Sequence, residues 1–383
     1  MTKEAPHKLL IVGATLVLPG SGQLIAGRKR FGIALLFFAL FSYTLILLNL
    51  SKLIGYIVNG SGDEFIAALA VLLIALTVWT IALRNILRPR KMTSAGKRLS
   101  PLRLSIKKFA ENDLALIALY VIVLMYILAI IAPVVSSFDP NDISNVLERR
   151  YLAPSLAHPF GTDEFGRDLF SRALYGARIS LSVGLLAVAV AISIGTIYGG
   201  VSGYFGGLID SVLMRVVDVV ISIPTFFVML LLVGIFEVNI PLLVAILGMT
   251  SWLGTARLIR GEFLSLRKTE YAEAARAMGL SDIRIILRHL IPNALSPVLV
   301  SAALMVGGMI SAEAGLSFLG IGIQPPTPSW GNMLRDGSDS LWIAWWIAFF
   351  PGALLALTVL CFNLIADGLR DAFDPKSLMR KIV

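Results

Sequence analysis

The feature that most constrains this chain is a series of apolar runs about as long as a lipid bilayer is thick. A hydrocarbon core of about 30 Å is crossed by roughly 20 helical residues. Eight runs approach that length: Phe31–Leu50, Phe65–Leu83, Leu114–Val135, Ile179–Val201, Val212–Phe236, Ile240–Leu258, Ile291–Ile310 and Leu341–Ile365. These runs predict an all-α integral membrane protein.

Composition supports a membrane protein over a soluble one. Of the 383 residues, 57% are hydrophobic and only 15% are charged, and the mean hydropathy is +0.83. The formal net charge of +9 indicates basic cytoplasmic loops in a membrane protein rather than a nucleic-acid surface. Arginine and aromatic residues do not interleave in any stretch, so we predict no nucleic-acid partner.

The N-terminal apolar run "LLIVGATLVLPGSGQLIAG" is shorter than the others and is interrupted at Pro19-Gly20. It fits a half-membrane hairpin or a marginal span. A signal peptide is the alternative, because a basic start precedes the apolar run. The absence of an obvious small-residue cleavage site favours an uncleaved segment.

The distribution of basic residues orients the spans, because cytoplasmic loops of membrane proteins are rich in Lys and Arg. The stretch Arg84–Lys108 carries nine basic residues and no acid, which places it in the cytoplasm. Alternation then puts Ser136–Arg178 outside, Glu270–Ala294 inside and Glu313–Ser340 outside. The tail returns to the cytoplasm with the cations Lys376, Arg380 and Lys381.

Three regions follow from these patterns. We predict an N-terminal membrane extension over residues 1–83 and a basic cytoplasmic linker over 84–112. Residues 113–383 form the main membrane domain, with about six helices. The extension adds two or three membrane helices.

One polar segment, "EYAEAARAMGLSDIRIILRHLIPNA", lies between two of the predicted spans. Thr269 is placed to cap a first helix, whose body is rich in helix formers. Gly279 stands where a left-handed residue ends a helix. Ser281 is placed to cap a second helix, so the segment predicts a helix–glycine–helix unit.

The second half of the segment carries Arg284 and Arg288 four residues apart, on one helix face, and then Pro292. A proline disturbs a continuing helix, so we predict a bend at the membrane surface. The small residues of the first helix allow close approach to another backbone: Ala272, Ala274, Ala275 and Ala277. From chemistry alone, docking in a partner's groove and lying on lipid headgroups remain equally open.

These residues resemble the EAA loop of the membrane subunits of ABC importers. Glu273, Ala274, Ala275, Gly279 and Pro292 match that loop, whereas His289 replaces a common isoleucine. The resemblance implies a coupling helix pair over residues 264–290 that docks on a separate ATPase. The ATPase-coupling residues it implies are Glu270, Tyr271, Glu273, Ala274, Ala275, Gly279, Arg284 and Pro292.

Two longer stretches resemble the peptide and nickel branch of those importers, specifically its C-type subunit. They are "HPFGTDEFGRDLFSRALYGARISLSVG" and "EAGLSFLGIGIQPPTPSWGNMLRDG". The resemblance covers residues 100–383 and implies a type I importer transmembrane fold, with core spans within 179–366. It also implies a homologous second permease, two ATP-binding subunits, an extracytoplasmic solute-binding protein and a prokaryotic inner (plasma) membrane location.

The first of these stretches groups charged residues between glycines. It is either a contact surface for the binding protein, a gate, or a turn whose acids pair with Arg167 and Arg172, and we favour the turn. Its residues are Gly161, Thr162, Asp163, Gly166, Arg167, Asp168 and Arg172. Glu313 either faces the transport pathway or pairs with Arg335, and both remain open. Trp330 fits the membrane interface.

Polar and small residues within the spans give two further predictions. Arg215 and Asp218 are three apart and can pair on one helix face. Small residues allow helices to pack closely, and close packing is the favoured role of the glycines at 195, 199, 200, 203, 206 and 207.

The sequence carries no phosphate-binding G-x-x-x-x-G-K-[ST] loop, so ATP hydrolysis is expected on another polypeptide. We predict no catalytic residue, cofactor or metal site in this transport subunit. The one cysteine, Cys361, lies in an apolar run, which excludes a disulfide framework. The alternatives are a stand-alone secondary transporter or channel driven by an ion gradient, and a structural membrane scaffold.

Overall fold

The computed structural model describes residues 14–15, 18–25, 29–60, 62–87, 101–236 and 238–374. Linker residues 88–100, Glu237 and the predicted cytoplasmic cations Lys376, Arg380 and Lys381 lie outside these ranges. Within them the regular elements are helices, with one isolated bridge between Thr162 and Asp168. The predicted all-α class is confirmed.

The first helices are α1 (Ser21–Ile25), α2 (Lys29–Leu48), α3 (Leu50–Asn59), α4 (Gly62–Leu87), α5 (Pro101–Phe109), α6 (Asp113–Ile130), α7 (Ala132–Val135) and α8 (Val146–Arg149). The next are α9 (Leu169–Phe205), α10 (Gly207–Ile221), α11 (Thr225–Ile235) and α12 (Ile240–Leu266). The last are α13 (Glu270–Ala277), α14 (Asp282–Ile285), a π-helical turn (Ile286–Leu290), α15 (Ile291–Phe318), α16 (Trp330–Asp339) and α17 (Trp346–Phe373).

Six stretches are long and apolar enough to cross a membrane: Gly62–Ala82, Asp113–Ile130, Leu169–Phe205, Ile240–Leu266, Asp282–Phe318 and Trp346–Phe373. Two bent helix pairs, α2 with α3 and α10 with α11, raise the number to eight if each pair is one span. The eight predicted runs therefore coincide with helical segments, although Val212–Phe236 is not a single straight helix.

The predicted run Phe31–Leu50 coincides with α2, which is followed by a bend of 75° into α3, whereas the predicted run Val212–Phe236 is itself a helix pair bent by 76°. In the first, the Asn49 side chain donates to the Leu45 carbonyl, 3.2 Å away, and thereby competes with the helical backbone. In the second, Pro224 has no N–H to continue α10. Its carbonyl instead accepts from Phe227 at 3.0 Å as α11 begins.

The chain divides into two compact units, Met1–Arg98 with Ile127–Ser137, and Leu99–Tyr126 with Phe138–Val383. Within the first unit, Gln23 Nε2 donates to the Ala82 carbonyl across 2.9 Å. A cluster of Leu53, Ala67, Ala68, Val71, Ile131 and Val134 is buried there. The outward faces of α2 and α4 expose large aliphatic and aromatic side chains, as expected for helices surrounded by lipid.

The second unit is built around the packing of α9 on α12. Gly195, Gly199 and Gly203 recur every fourth residue on α9, where a β-carbon would meet Thr255, the Ala256 carbonyl and the Arg260 carbonyl. Glycines at this spacing let two helix backbones approach closely. The predicted close-packing role is confirmed at these three positions.

Helix α9 also fixes the distance between the two ends of this unit. Its 37 residues span about 55 Å at a rise of 1.5 Å per residue. Asp168 lies at its N-terminal end and Tyr204 near its C-terminal end. The two sets of residues singled out from the sequence therefore lie at opposite ends of the helix bundle.

Candidate functional site

The helix–glycine–helix segment ends its first helix in a Schellman motif. Gly279 adopts a φ of +75°, and its N–H donates to the Arg276 carbonyl at 2.9 Å, while Leu280 N–H donates to the Ala275 carbonyl at 3.2 Å. These are the two hydrogen bonds that define the motif, and Leu280 also packs on the cluster that contains Ala275. The predicted left-handed glycine is confirmed.

The predicted side-chain caps are wrong. The Thr269 hydroxyl donates to the Leu266 carbonyl at 2.6 Å, because this residue follows directly on the last turn of α12. Neither Thr269 nor Ser281 makes a side-chain cap hydrogen bond, although each occupies the N-cap position. Both helices are therefore held by tertiary packing rather than by their caps.

The predicted bend at Pro292 is also corrected. Asp282–Phe318 runs as one membrane-length helical stretch, with the π-helical turn Ile286–Leu290 immediately before α15. In an α-helix the ring of Pro292 would clash with the carbonyl four residues earlier. The wider π turn at that position relieves this clash, so the helix continues.

The segment has one buried face. Ala272 and Ala275 pack against Ile259 and Phe263 of α12 and against Tyr204 of α9. Alanine lets the helix lie close to these larger side chains, as the sequence indicated. Of the predicted coupling residues Ala275 is buried, whereas the others are exposed: Glu270, Tyr271, Glu273, Ala274, Gly279, Arg284 and Pro292.

The exposed side of the segment is partly apolar. Met278 is 73% exposed and Ile283 is 71% exposed, and Tyr271 and Leu287 are also exposed. These four side chains form the outer face of the segment, together with the charges of Glu270, Glu273 and Arg284. An exposed amphipathic surface on short helices is suited to docking on a protein partner.

Polar contacts around Tyr204 also hold the segment to the bundle, beside the buried apolar cluster. The Tyr204 hydroxyl donates to Asp282 Oδ1 at 2.5 Å, and Arg267 Nη1 donates to the Tyr204 carbonyl at 2.9 Å. Arg276 Nη2 donates to the Arg267 carbonyl at 2.8 Å. A recess of about 350 Å³ lies beside them, lined by Tyr204, Phe205, Arg267, Lys268, Glu273, Arg276 and Asp282.

Two ion pairs join α10 to α12 near this end. Asp210 accepts two hydrogen bonds from Arg260, at 2.5 and 2.7 Å, and Asp218 accepts from Arg257 at 2.7 Å. The predicted pairing of Arg215 with Asp218 is therefore wrong. Asp218 pairs across helices instead, since Arg257 reaches it from α12.

At the other end of the bundle, Asp163 of the glycine-flanked acidic stretch has its charge satisfied by nearby groups. Asp163 accepts from the backbone N–H groups of Phe165 and Arg167, both at 2.9 Å, and from Arg167 Nε at 2.6 Å. Arg172 is only 1% exposed and lies 3.8 Å from Asp163 and 3.9 Å from Asp336. Gly161 and Gly166 have positive φ angles and turn the chain around these charges. The favoured prediction, that the acids pair with Arg167 and Arg172, holds for Asp163. It does not hold for Asp168, which bonds to His158 and Ser171.

Two other residues at this end of the bundle, Trp330 and Glu313, are more buried in the protein than the sequence predicts. Trp330 is fully buried and donates from Nε1 to the Ala173 carbonyl at 3.1 Å, so its predicted place at the membrane interface is wrong. Its indole fills the space between α9 and α16 instead. Glu313 is also fully buried and accepts from Ser180 and Ser317, both at 2.8 Å. The alternative pairing with Arg335 is not found.

A cavity of about 710 Å³ opens between these stretches, with Glu164, Phe165, Arg167, Arg335, Asp336 and Asp339 among its lining residues. Burial raises the pKa of Asp336, and the Asp163 carboxylate raises it further. Burial also raises the pKa of Glu164, with a further increase from Asp336. Both carboxyl groups therefore take up a proton at a higher pH than a free carboxyl group does.

Asp168 caps α9 and makes the clearest local contribution to stability at this end. It accepts from the Ser171 N–H and the Ser171 hydroxyl, both at 2.7 Å, and from His158 Nδ1 at 2.8 Å. We expect Asp168→Ala to lower the free energy of unfolding by about 2 kcal/mol, because a cap and a buried partner are lost together. Thermal unfolding of the purified full chain in mild detergent measures the change.

Asp139→Ala is the matched control, since the exposed Asp139 carboxylate accepts from the Asn141 N–H in a surface turn. We expect the free energy of unfolding of that variant to lie within about 0.5 kcal/mol of the value for the unaltered chain. Equal destabilisation by the two substitutions would show that Asp168 has no special capping role.

The residues that join the segment to α9 were not identified from the sequence. Tyr204 and Asp282 are separated by 78 positions, and neither belongs to a recognisable local pattern. Tyr204 follows a glycine-rich stretch that pointed only to helix packing. A contact of this kind becomes visible only when the packing of α9 against α14 is known.

Comparison with known proteins gives matches over most of the chain. Residues 169–378 match the family model described as "Binding-protein-dependent transport system inner membrane component". Residues 100–154 match the model described as "N-terminal TM domain of oligopeptide transport permease C".

Individual relatives agree with these matches. The chain is 41% identical over 271 residues to the dipeptide transport system permease protein DppC of Bacillus subtilis, covering 70% of this chain and 84% of the relative. It is 45% identical over 270 residues to the oligopeptide transport system permease protein OppC of Escherichia coli, covering 70% of this chain and 89% of the relative. Among solved structures, an inward-facing MetNI methionine ABC transporter matches 52% of this chain and 96% of its own, with a TM-score of 0.45 and 16% identity.

Proposed function

Because this chain belongs to the family of binding-protein-dependent transport system inner membrane components, we propose that it forms half of the pathway of an ATP-driven importer for peptides or similar solutes. Membership accounts for the all-α, multi-span architecture and for the type I importer transmembrane fold inferred from the sequence. Peptides are proposed as cargo because the names of the relatives refer to dipeptide and oligopeptide transport.

The observation that carries the proposal is the two-faced helix–glycine–helix segment. Its inner face packs on α9 and α12 in a single apolar cluster, and its outer face exposes Tyr271, Met278, Ile283 and Leu287. A helix pair that merely rested on headgroups would not need such a fixed attachment to the bundle. We propose that the outer face docks on an ATP-binding subunit.

The attachment supplies a mechanism for coupling. The segment is continuous with α12 through Leu266 and with α15 through Ile291. When ATP binding draws two ATP-binding subunits together, the docked segments move, and these two long helices move with them. The resulting change of helix tilt opens the pathway alternately to each side of the membrane.

The remaining partners follow from the same proposal. A homologous second permease encloses the other half of the pathway, and the bent pair α10–α11 offers it an exposed apolar surface that includes Val212, Val216, Phe227 and Leu231. An extracytoplasmic solute-binding protein delivers cargo at the end that carries Asp163 and Asp168. Glu313 stays a candidate pathway residue for the open conformation.

The domain boundaries and the location are proposals too. Residues 113–383 form the permease domain, 84–112 a basic cytoplasmic linker and 1–83 an added membrane module. The family models begin at residue 100, which is consistent with an N-terminal addition. We place the multi-pass chain in the inner (plasma) membrane of a prokaryotic cell, with the basic stretch 84–108 in the cytoplasm.

Purification from native membranes in mild detergent tests the proposal. We expect the chain to copurify with a second permease and with ATP-binding subunits, identified by mass spectrometry. Glu273→Arg reverses an exposed charge of the segment and is expected to remove the ATP-binding subunits while the second permease stays. The control Glu148→Arg reverses an exposed charge at the opposite end and should leave both partners bound. Recovery of the chain alone in several mild detergents would contradict the proposal.

A further inference from the structure

We infer that Tyr204 is a positioning residue that fixes the coupling segment to the end of α9, so that α9 moves with the segment. The inference rests on the proposed function, because it concerns how movement of the segment reaches the pathway. It adds a specific joint that the covalent connections do not supply. The chain joins the segment directly to α12 and α15, whereas α9 is linked to it only by noncovalent contacts.

The side chain of Tyr204 performs two separable tasks. Its ring is buried in the cluster formed by Phe263 of α12, Ala272 and Ala275 of α13, and Ile285 of α14. Its hydroxyl reaches beyond that cluster and donates to Asp282 Oδ1 at 2.5 Å. The ring contributes packing, which is not directional, whereas the hydrogen bond has a defined length and angle.

The backbone at Tyr204 is also hydrogen-bonded to a residue next to the segment. Its carbonyl accepts from Arg267 Nη1 at 2.9 Å, and the Arg267 carbonyl accepts from Arg276 Nη2 at 2.8 Å. The Arg276 guanidinium lies 5.8 Å from the centre of the Tyr204 ring. The end of α9, the end of α12 and both short helices of the segment therefore meet at this one residue.

The position of the joint determines what it transmits. Tyr204 is the penultimate residue of α9, and Asp168 caps the other end of the same helix. Ser180 of α9 also donates to the buried Glu313 of α15 at 2.8 Å. A rotation of the segment that is passed to α9 therefore reaches the opposite end of the bundle through a single rigid helix.

Loss of the hydroxyl should weaken transmission without detaching the segment. Tyr204→Phe retains the ring in the cluster and removes only the directional hydrogen bond. Asp282→Ala removes the acceptor, whereas Asp282→Asn retains an acceptor oxygen. The outer face that docks on the ATP-binding subunit, formed by Tyr271, Met278, Ile283 and Leu287, is unchanged in all three variants.

The test uses the complete importer in lipid vesicles and measures the amount of peptide transported per ATP hydrolysed. We expect Tyr204→Phe and Asp282→Ala to lower this ratio about threefold to tenfold, the range that corresponds to the net contribution of one typical protein hydrogen bond. Copurification of the ATP-binding subunits should be unchanged. The double variant should be no worse than either single one, and Asp282→Asn should retain most of the ratio.

Tyr126→Phe is the matched control, because it removes a tyrosine hydroxyl that donates to the Leu181 carbonyl of α9 at 3.2 Å, far from the segment. Its ratio should equal that of the unaltered importer. An unchanged ratio in Tyr204→Phe, or additive losses in the double variant, would overturn the role of Tyr204 alone. Failure of the unaltered importer to couple ATP hydrolysis to transport would instead overturn the proposed function and the inference with it.

Discussion

Gly279→Pro is expected to abolish ATP-dependent transport while the chain still inserts in the membrane and binds its second permease. The backbone at this position has a φ of +75°, whereas proline requires about −65°. Proline also removes the N–H group that donates a hydrogen bond to the Arg276 carbonyl at 2.9 Å. The two short helices then lose their relative orientation, and the outer face of the segment no longer matches the groove of its partner.

Two milder substitutions at Gly279 measure the effect of backbone strain alone, without a steric clash. A β-carbon at Gly279 would meet nothing within 4 Å, so any effect of Gly279→Ala comes from the left-handed conformation, which costs about 1–2 kcal/mol. Gly279→Asn costs less, because asparagine tolerates this region. Peptide uptake and copurification of the ATP-binding subunits should therefore fall in the order Asn, Ala, Pro, with Asn nearest to the unaltered chain. Full uptake by the proline variant would contradict the predicted role of the turn.

Gly199→Leu is expected to destabilise the bundle strongly. A β-carbon at this position would overlap the Ala256 carbonyl of α12, which is backbone and cannot rotate away. Forcing α9 and α12 apart loses contacts along both helices, so we expect a loss of about 3 kcal/mol, at the upper end for overpacking. The apparent melting temperature of the purified chain in mild detergent should fall accordingly, and less protein should be recovered from membranes.

Gly254→Ala and Gly261→Ala provide the controls on the partner helix α12. A β-carbon at either position would meet nothing within 4 Å, and alanine favours the helix over glycine by up to about 1 kcal/mol. Both variants should therefore melt at or above the temperature of the unaltered chain. If the melting temperature of Gly199→Leu equalled that of these two variants, the close contact of α9 with α12 would not be a source of stability.

Some parts of the fold that follow from local sequence were predicted correctly, although the caps at Thr269 and Ser281 were not. Runs of apolar residues near 20 in number marked the helical spans, since the length required is set by the bilayer. Gly279 was recognised as a left-handed helix end because glycine is the residue that adopts this conformation without strain. Close packing was predicted for the glycines at 195, 199, 200, 203, 206 and 207 because small residues let helices approach, and the structure shows it at Gly195, Gly199 and Gly203.

The parts that depend on distant contacts were not predictable in the same way. The run Val212–Phe236 is apolar and long enough to predict one span, and only Pro224 marks the bend. Trp330 was assigned to the interface from residue type, but its burial depends on the approach of α9 to α16. The hydrogen bond of Tyr204 with Asp282 likewise depends on tertiary structure, since the two residues lie on different helices.

The most direct test of the central claim is the energy source of transport in vesicles that contain either the complete importer or this chain alone. The account predicts that labelled peptide accumulates only when the second permease, the ATP-binding subunits, the solute-binding protein and ATP are all present. Dissipating proton and sodium gradients should leave that uptake unchanged. Gradient-driven uptake by this chain alone, without ATP, would contradict the account and identify a stand-alone transporter.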